Sequence, residues 1–373
     1  MTSRPRLRIL FATTHPHLPQ IAGGLQASTD ETIRRLRARG HDARLLCGLT
    51  GEGLLGMRHR LFLKLSGIPV VQDRTAGYTV YRAWYPACPA AVAHVARDFA
   101  PDVVVAQGGG VAPLVRAFDT VGVPGLIHHR NVEFDEMEGR PDALPAATAH
   151  IANSQFTRAR LRAAFGLDAS VIYPVVDADR YRVPARGRRV VFVNPHPTKG
   201  VGIALGLAEA CPDIPFLFVE AWTLHGPEHD AMRARVAALP NVEYRERTSD
   251  MRRIYAEAAV MLVPSRWEEA FGRVVAEAQV SGIPSIATAI GGLSEAVGPG
   301  GVLIPPEAGL AEWVAALRAL WSDVTRMERL SDAALRHAAR PELDADWQID
   351  RLEQLIRDRI ATAPRGLPRM AGA

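Results

Sequence analysis

The 373-residue sequence predicts an α/β protein of two doubly wound, Rossmann-like halves, each a parallel sheet covered by helices on both faces. Three observations carry this expectation. Short runs rich in Val, Ile and Leu alternate with stretches whose apolar residues recur at helical spacing. The alternation breaks once, around "YPVVDADRYRVPARGRR", a segment of Pro, Arg and Asp without a period. The length overfills one hydrophobic core and suits two.

Taken in order, the strand-like runs of the first half are "LRILFAT", "ARLLCGL", "DVVVAQ", "PGLIHH" and "AHIANS". Those of the second half are "RVVFVN", "PFLFVE", "NVEYRE", "VMLVPS", "PSIAT" and "GVLIP". Helical patterns such as "LQASTDETIRRLRARG" and "KGVGIALGLAEAC" lie between them. The aperiodic linker sets the expected division at 1–183 and 184–342. Residues 343–373 then form a last amphipathic helix, "LDADWQIDRLEQLIRDRIA", and a tail, "TAPRGLPRMAGA", expected to be disordered.

Bulk composition narrows the classes. With 48% apolar and 23% charged residues the chain reads as a soluble globular protein, and no apolar run reaches the length of a membrane span. "MTSRPRLRILFAT" lacks a signal peptide's long apolar stretch, so a cytoplasmic protein is expected. Cys47, Cys88 and Cys211 are scattered, without CxxC or metal spacing, and read as free thiols. A net charge of +4 mildly favours an anionic ligand and does not say which.

The chemistry concentrates in "RWEEAFGRVVAEA", which sets Glu269 and Glu277 with seven residues between them. "AAVMLVPS" reads as a strand, "RWEEA" as a loop and "FGRVVAEAQVSG" as a helix ending near Gly282. Ligands of open parallel sheets sit beyond the carboxyl ends of the strands. A helix beginning at Phe271, Gly272 and Arg273 would offer its unpaired amides to an anion there, with Gly272 permitting close approach. Carboxylates would be repelled by a phosphate, so Glu269 and Glu277 suit neutral hydroxyls such as those of a sugar and a ribose. The plainer alternative is a dipole-stabilised helix-start residue and an exposed helix residue. Spacing alone favours that alternative.

The surroundings reverse the balance. "PSRWEEAFGRVVAEAQVSGIPSIATAIGGLSEAV" resembles, almost position by position, the nucleotide-sugar segment of family 4 glycosyltransferases, glycogen synthase-like retaining enzymes of the GT-B fold. The likeness extends to "AGGLQASTDETIRRLRARGHD", "FAPDVVVAQ", "IANSQFTRARL" and "VIYPVVDADRY", and so over almost the whole chain. It implies two Rossmann-like domains facing across a cleft, with the last helix crossing back to the first. It implies also that Glu277 hydrogen-bonds the nucleotide ribose, while Glu269 and the backbone of Phe271, Gly272 and Arg273 hold the donor sugar and diphosphate. Lys199, before Gly200 in "NPHPTKG", matches the lysine that neutralises the diphosphate. A lysine and glycine at a helix start are chemically suited to that task.

One departure stands out. The family's Gly-Arg pair before this lysine is replaced by Val193 and Asn194, which removes a cation from the strand end. His196 or Arg266 is the substitute to consider. In the first half Gly23 and Gly24 precede a helix and either present amides to the donor or acceptor or simply form a turn. His128, His129 and Arg130 end a strand where the family carries a histidine facing the reacting sugar, and the alignment leaves the choice among them open.

Other motifs are set aside. The triplets Asp177–Asp179 and Asp344–Asp346 lie in a linker and before a helix, where converging oxygen ligands are not expected. "HPH" at 15–17 has no partner spacing, and "QGGGVAPL" is no dinucleotide fingerprint. "GMRHRLFLKLSG" is either a solvated helix face or a peripheral contact with an anionic membrane through Arg58, Arg60 and Lys64. The expected protein is therefore a metal-independent retaining glycosyltransferase with a nucleoside-diphosphate sugar as donor substrate and a hydroxyl acceptor. No further cofactor and no nucleic acid are expected, and the oligomeric state stays open. A GT-B sugar-nucleotide epimerase and a non-catalytic sugar-nucleotide-binding protein are the alternatives.

Overall fold

A computed structural model describes residues 5–140, 144–145, 148–184, 187–222 and 226–363. From residue 364 onward, the tail expected to be disordered lies outside the described residues, as do residues 223–225, a few positions beyond "PFLFVE". The chain divides into two compact units, Met1–Val175 with Asp346–Ala373, and Val176–Ala345. The first break falls earlier than the expected 183/184 for a packing reason. Tyr181 and Val183 are buried in a core cluster of the second unit with Val191, Leu217, Tyr255 and Met261.

The first unit carries strands β1 (Arg8–Pro16), β2 (Asp42–Gly48), β3 (Val71–Asp73), β4 (Val80–Ala83), β5 (Val103–Gln107), β6 (Gly125–His129), β7 (Ala149–Ala152) and β8 (Ser170–Val171). They form one sheet in the order β3-β4-β2-β1-β5-β6-β7-β8, parallel throughout except for the antiparallel β3–β4 pair. "VQD" and "VYRA" are too short to show a period, which is why that pair was not anticipated. Its helices are α1 (Gly24–Ala38), α2 (Gly53–Ser66), α3 (Pro89–Phe99), α4 (Val111–Asp119) and α5 (Gln155–Phe165). All five residues of β5 and of β6 are buried, as strands covered on both faces require.

The second unit contains α6 (Ala178–Tyr181), β9 (Arg189–Val193), α7 (Val201–Ala210), β10 (Phe216–Val219), α8 (Pro227–Ala237), β11 (Val242–Arg245), α9 (Met251–Tyr255), β12 (Ala258–Val263) and α10 (Arg273–Gln279). It continues with β13 (Ser285–Thr288), α11 (Leu293–Val297), β14 (Gly301–Ile304), α12 (Leu310–Trp321) and α13 (Val324–Ala338). Its six strands are all parallel, in the order β11-β10-β9-β12-β13-β14. One face buries Val190, Phe192, Phe218 and Leu262 beneath α7 and α12, and the other buries Val191, Leu217 and Met261.

The last helix, α14 (Ala345–Ala361), packs on the first unit. Ile349, Leu352 and Ile356, at helical spacing, are buried along it. Its acidic side is fixed by Arg39, which donates to Asp350 at 2.6 Å and Glu353 at 3.2 Å, while Arg359 donates to the carbonyl of Gly125 at 3.2 Å.

Candidate functional site

In each sheet the strand order reverses beside its first strand, between β1 and β5 in one unit and between β9 and β12 in the other. Such switch points open a crevice at the carboxyl ends of the strands. In the second unit the segments leaving β9 and β12 meet there. The chain turns out of β9 through Asn194, a non-glycine residue at φ +67°, and a short 3-10 turn, Pro197–Lys199. Gly200 ends that turn at φ +80° and starts α7. A Cβ on Gly200 would lie 1.9 Å from the carbonyl oxygen of Pro264, so the β9 and β12 loops touch through a position only glycine can fill.

This contact brings Lys199 to Glu269, with Nζ 2.5 Å from Oε1 and both side chains about one-fifth exposed. Ser265, buried at the end of β12, donates to the same carboxylate oxygen at 3.1 Å. Arg266 donates its backbone N–H to the carbonyl of Thr198 at 2.9 Å, and its side chain is exposed. Trp222, beyond β10, lies with its ring 5.3 Å from the Lys199 ammonium and 5.5 Å from the His196 ring. The Nδ1 of His196 is occupied by the Thr198 hydroxyl at 2.8 Å. The ammonium, a carboxylate, a hydroxyl and an indole thus share one corner.

The loop carrying Glu269 is braced from behind. Gly292 donates to the Glu269 carbonyl at 2.7 Å, which ties the Gly-Gly turn before α11 to this segment. Gly272 has φ +109°, outside helical space, and a Cβ there would meet Leu293 at 2.6 Å. For this reason the helix expected from Phe271 begins only at Arg273 and runs seven residues. Phe271 itself is buried.

Glu277 is not on an exposed helix face. It is 6% exposed, and its carboxylate receives Arg273 Nε at 2.5 Å and the Tyr255 hydroxyl at 2.6 Å. Arg273 also donates to the Tyr181 hydroxyl at 2.8 Å. Burial, reinforced by the neighbouring Glu277, holds the Tyr255 phenol well above its usual range, so it stays the donor. The guanidinium of Arg273 is therefore engaged by Glu277 and Tyr181 inside the unit.

Asn194 is 4% exposed, and its side-chain oxygen accepts from the backbone of Trp222 at 3.4 Å. Its Nδ2 has no hydrogen-bond partner. Asn194 therefore brings a buried neutral donor to this strand end.

In the first unit Gly23 is extended and caps α1, with Gly24 exposed at the first helical position. Gly108–Gly110, between β5 and α4, sit at the switch point, where the Thr14 hydroxyl donates to the Gly109 carbonyl at 2.9 Å. His128 and His129 are 2% and 3% exposed. His129 Nε2 lies 3.0 Å from His150 Nδ1, and burial, with His150 beside it, lowers the His129 pKa to about 3. Burial alone lowers His150 to about 4, and His128 also falls well below the ordinary range through burial and the nearby Arg130. All three rings are neutral near pH 7. Arg130 is the partly exposed member of the trio at this strand end, and it donates to Gln107 at 3.2 Å and Ser28 at 2.9 Å.

The decoys have local roles. Asp177 accepts from the Asp179 backbone at 3.3 Å, and Asp346 pairs with Arg35 and Arg39, both at 3.1 Å. His17 Nε2 and the Tyr78 hydroxyl lie 2.8 Å apart. Among the described residues no group of three or more His, Cys, Asp or Glu converges as a metal site would need, and no helix is long and apolar enough to cross a membrane. Sequence reasoning missed Tyr181, Tyr255 and Gln107, which carry no motif, and reached Trp222 only as part of a pocket-lining loop, "FVEAWTLHG". They were recognisable only as residues next to strand ends or in short helices.

Both halves of the chain match family models. Residues 22–180 match Glycosyltransferase Family 4, and residues 187–323 match Glycosyl transferases group 1. A D-inositol 3-phosphate glycosyltransferase of Thermomonospora curvata is 42% identical over 121 residues, covering 31% of this chain and 27% of that protein. The chain spans roughly a quarter of the length of such relatives, 27% for the first two. A glycosyltransferase from Rickettsia africae superposes with a TM-score of 0.74 at 15% identity, covering 95% of this chain and 99% of that one. Anabaena HepE, solved in complex with UDP and glucose, gives 0.71 at 19% identity, covering 94% and 100%. The fold is GT-B, and its two halves are GT4-like glycosyltransferase domains.

Proposed function

We propose that the protein moves a sugar from a nucleoside-diphosphate sugar to a hydroxyl acceptor, with retention of anomeric configuration and without a bound metal. The observation that carries this reading is the Lys199–Glu269–Ser265 cluster at the switch point of the second sheet. An ammonium has three protons, and Glu269 engages one, which orients the group for diphosphate oxygens. The amides after Gly200 and around Gly272 add partial positive charge, and the Asn194 amide adds a neutral donor in place of the family's arginine. Glu269 then turns toward the hydroxyls of the donor sugar, while Glu277, held by Arg273 and Tyr255, braces the segment from inside the unit. A sugar nucleotide fits this mixture of cation, amides and carboxylates.

In the proposed reaction the leaving diphosphate takes the proton of the incoming hydroxyl on the same face of the sugar. No nucleophilic carboxylate is then needed, and the protein's main task is to stabilise charge on the leaving group. The first unit holds the acceptor near Gly23, Gly24 and Arg130. Buried neutral His128 and His129 shape that strand end and do not reach a ligand in the described conformation. The acceptor, whether glycan, glycolipid, lipid-linked intermediate or small natural product, is chosen by this unit.

Thermal denaturation against a panel of nucleoside diphosphates and their sugars, without added metal, tests donor binding, because a ligand of the folded state raises the midpoint. One nucleotide series should stabilise the protein, and Lys199→Ala should abolish the shift. A panel without any shift overturns the reading. With a donor in hand, the anomeric coupling constant of the product reports retention, and an epimer formed without acceptor would identify an epimerase instead.

A further inference from the structure

We infer that α2, with the turn after β4, is a docking surface for an anionic lipid bilayer. The helix is held by a narrow inner face, Gly56, His59 and Leu63, the last packed with Leu49 and Val71. Its outer face is the reverse of an ordinary surface helix. Leu54, Met57, Leu61 and Leu65, spaced three to four apart along one stripe, are exposed, Leu54 by 84% and Leu65 by 76%. Phe62 and Ile68 extend the patch, and Trp84 and Tyr85 add two exposed aromatic rings. They border the start of the helix, since a Cβ on Gly51 would lie 3.6 Å from the Trp84 ring and 3.7 Å from the Arg60 guanidinium. Single exposed apolar residues are ordinary, but a contiguous set of this size marks a contact.

Charge selects the occupant. Arg58, Arg60 and Lys64 are exposed around the stripe, and no Asp or Glu occurs from Gly53 to Ile68. A second copy docked about a two-fold axis would set these cations against their own images. A bilayer with anionic headgroups complements them, accepts the apolar stripe at its acyl boundary and places aromatic rings at headgroup depth. The patch follows the carboxyl ends of β2 and β4 in the first unit. The inference does not depend on the proposed transfer reaction, since it concerns only where the chain rests.

Co-sedimentation of the whole chain with vesicles tests it. The protein should pellet with phosphatidylcholine–phosphatidylglycerol vesicles, less so in high salt, and stay in solution with phosphatidylcholine alone. The paired change Leu61→Glu with Leu65→Glu should reduce binding to background. Arg58→Ser with Lys64→Ser should lower partitioning about 30-fold at low salt. Both pairs are exposed, and an unchanged melting midpoint verifies their fold. Wild-type protein that ignores anionic vesicles overturns the inference. So does a dimer in sedimentation velocity that the Leu61/Leu65 change dissolves while vesicle binding is absent.

Discussion

Arg273→Met is the perturbation whose consequence follows most directly from the structure. It leaves the Glu277 carboxylate buried, with the Tyr255 hydroxyl as its remaining described partner. Removing one member of a buried ion pair costs about 3–5 kcal/mol, because the other charge stays desolvated with its counter-ion gone. In a domain of this size that is a fall of roughly 10 °C in melting midpoint. Tyr255→Phe should cost less, about 1.5–3 kcal/mol, as a hydrogen bond to a charged group. Replacing both charges, Arg273→Met with Glu277→Leu, should recover much of the loss, since an apolar pair of similar volume carries no desolvation penalty. Urea unfolding followed by tryptophan fluorescence, with the slope compared across variants, supplies the cycle. An Arg273→Met cost under about 1 kcal/mol would show that Glu277 is not dependent on this pair. The same physics governs any donor-binding experiment on Glu277: a lost ligand shift there counts only if the variant is folded.

The remaining expectations are independent of that cycle. Lys199→Ala removes a partly exposed pair and should change stability by no more than about 1 kcal/mol, yet weaken diphosphate binding about 10- to 100-fold by titration calorimetry. Gly200→Ala combines φ +80° with a Cβ 1.9 Å from a carbonyl oxygen, so its midpoint should drop by more than that of Gly202→Ala, which meets nothing within 4 Å. For acid stability, His150 and His129 have folded pKa values lowered to about 4 and about 3 from 6.5. Below pH 6.5 the unfolded chain binds protons that the folded chain refuses. Stability should therefore be complete above pH 6.5 and decline toward pH 4, each histidine contributing at most about 1.4 kcal/mol per pH unit. A midpoint that stays flat from pH 7 to 4.5, or is unaltered in slope by His150→Gln, would contradict this.

The sequence by itself determined the two-sheet α/β architecture, because buried parallel strands must be continuous Val, Ile and Leu runs and these are visible without coordinates. It also exposed the motif bearing Lys199, Gly200, Glu269 and Gly272, since turns at positive φ restrict residue choice locally. Side-chain partnerships were beyond it. That Lys199 meets Glu269 across 70 positions depends on β9 and β12 lying side by side, which is a matter of strand order. That Glu277 is buried depends on Tyr255 and Arg273 closing over it, and the motif's spacing is compatible equally with an exposed carboxylate. The domain boundary moved because Tyr181 and Val183, aperiodic in sequence, find apolar neighbours only in the folded second unit. The outward stripe of α2 is the converse. Its apolar spacing is that of a core helix, and only the tertiary structure, by packing the opposite face, decided that the stripe meets solvent. Local backbone and burial requirements are written along the chain, whereas which face is buried and which charges meet are set by contacts between distant segments.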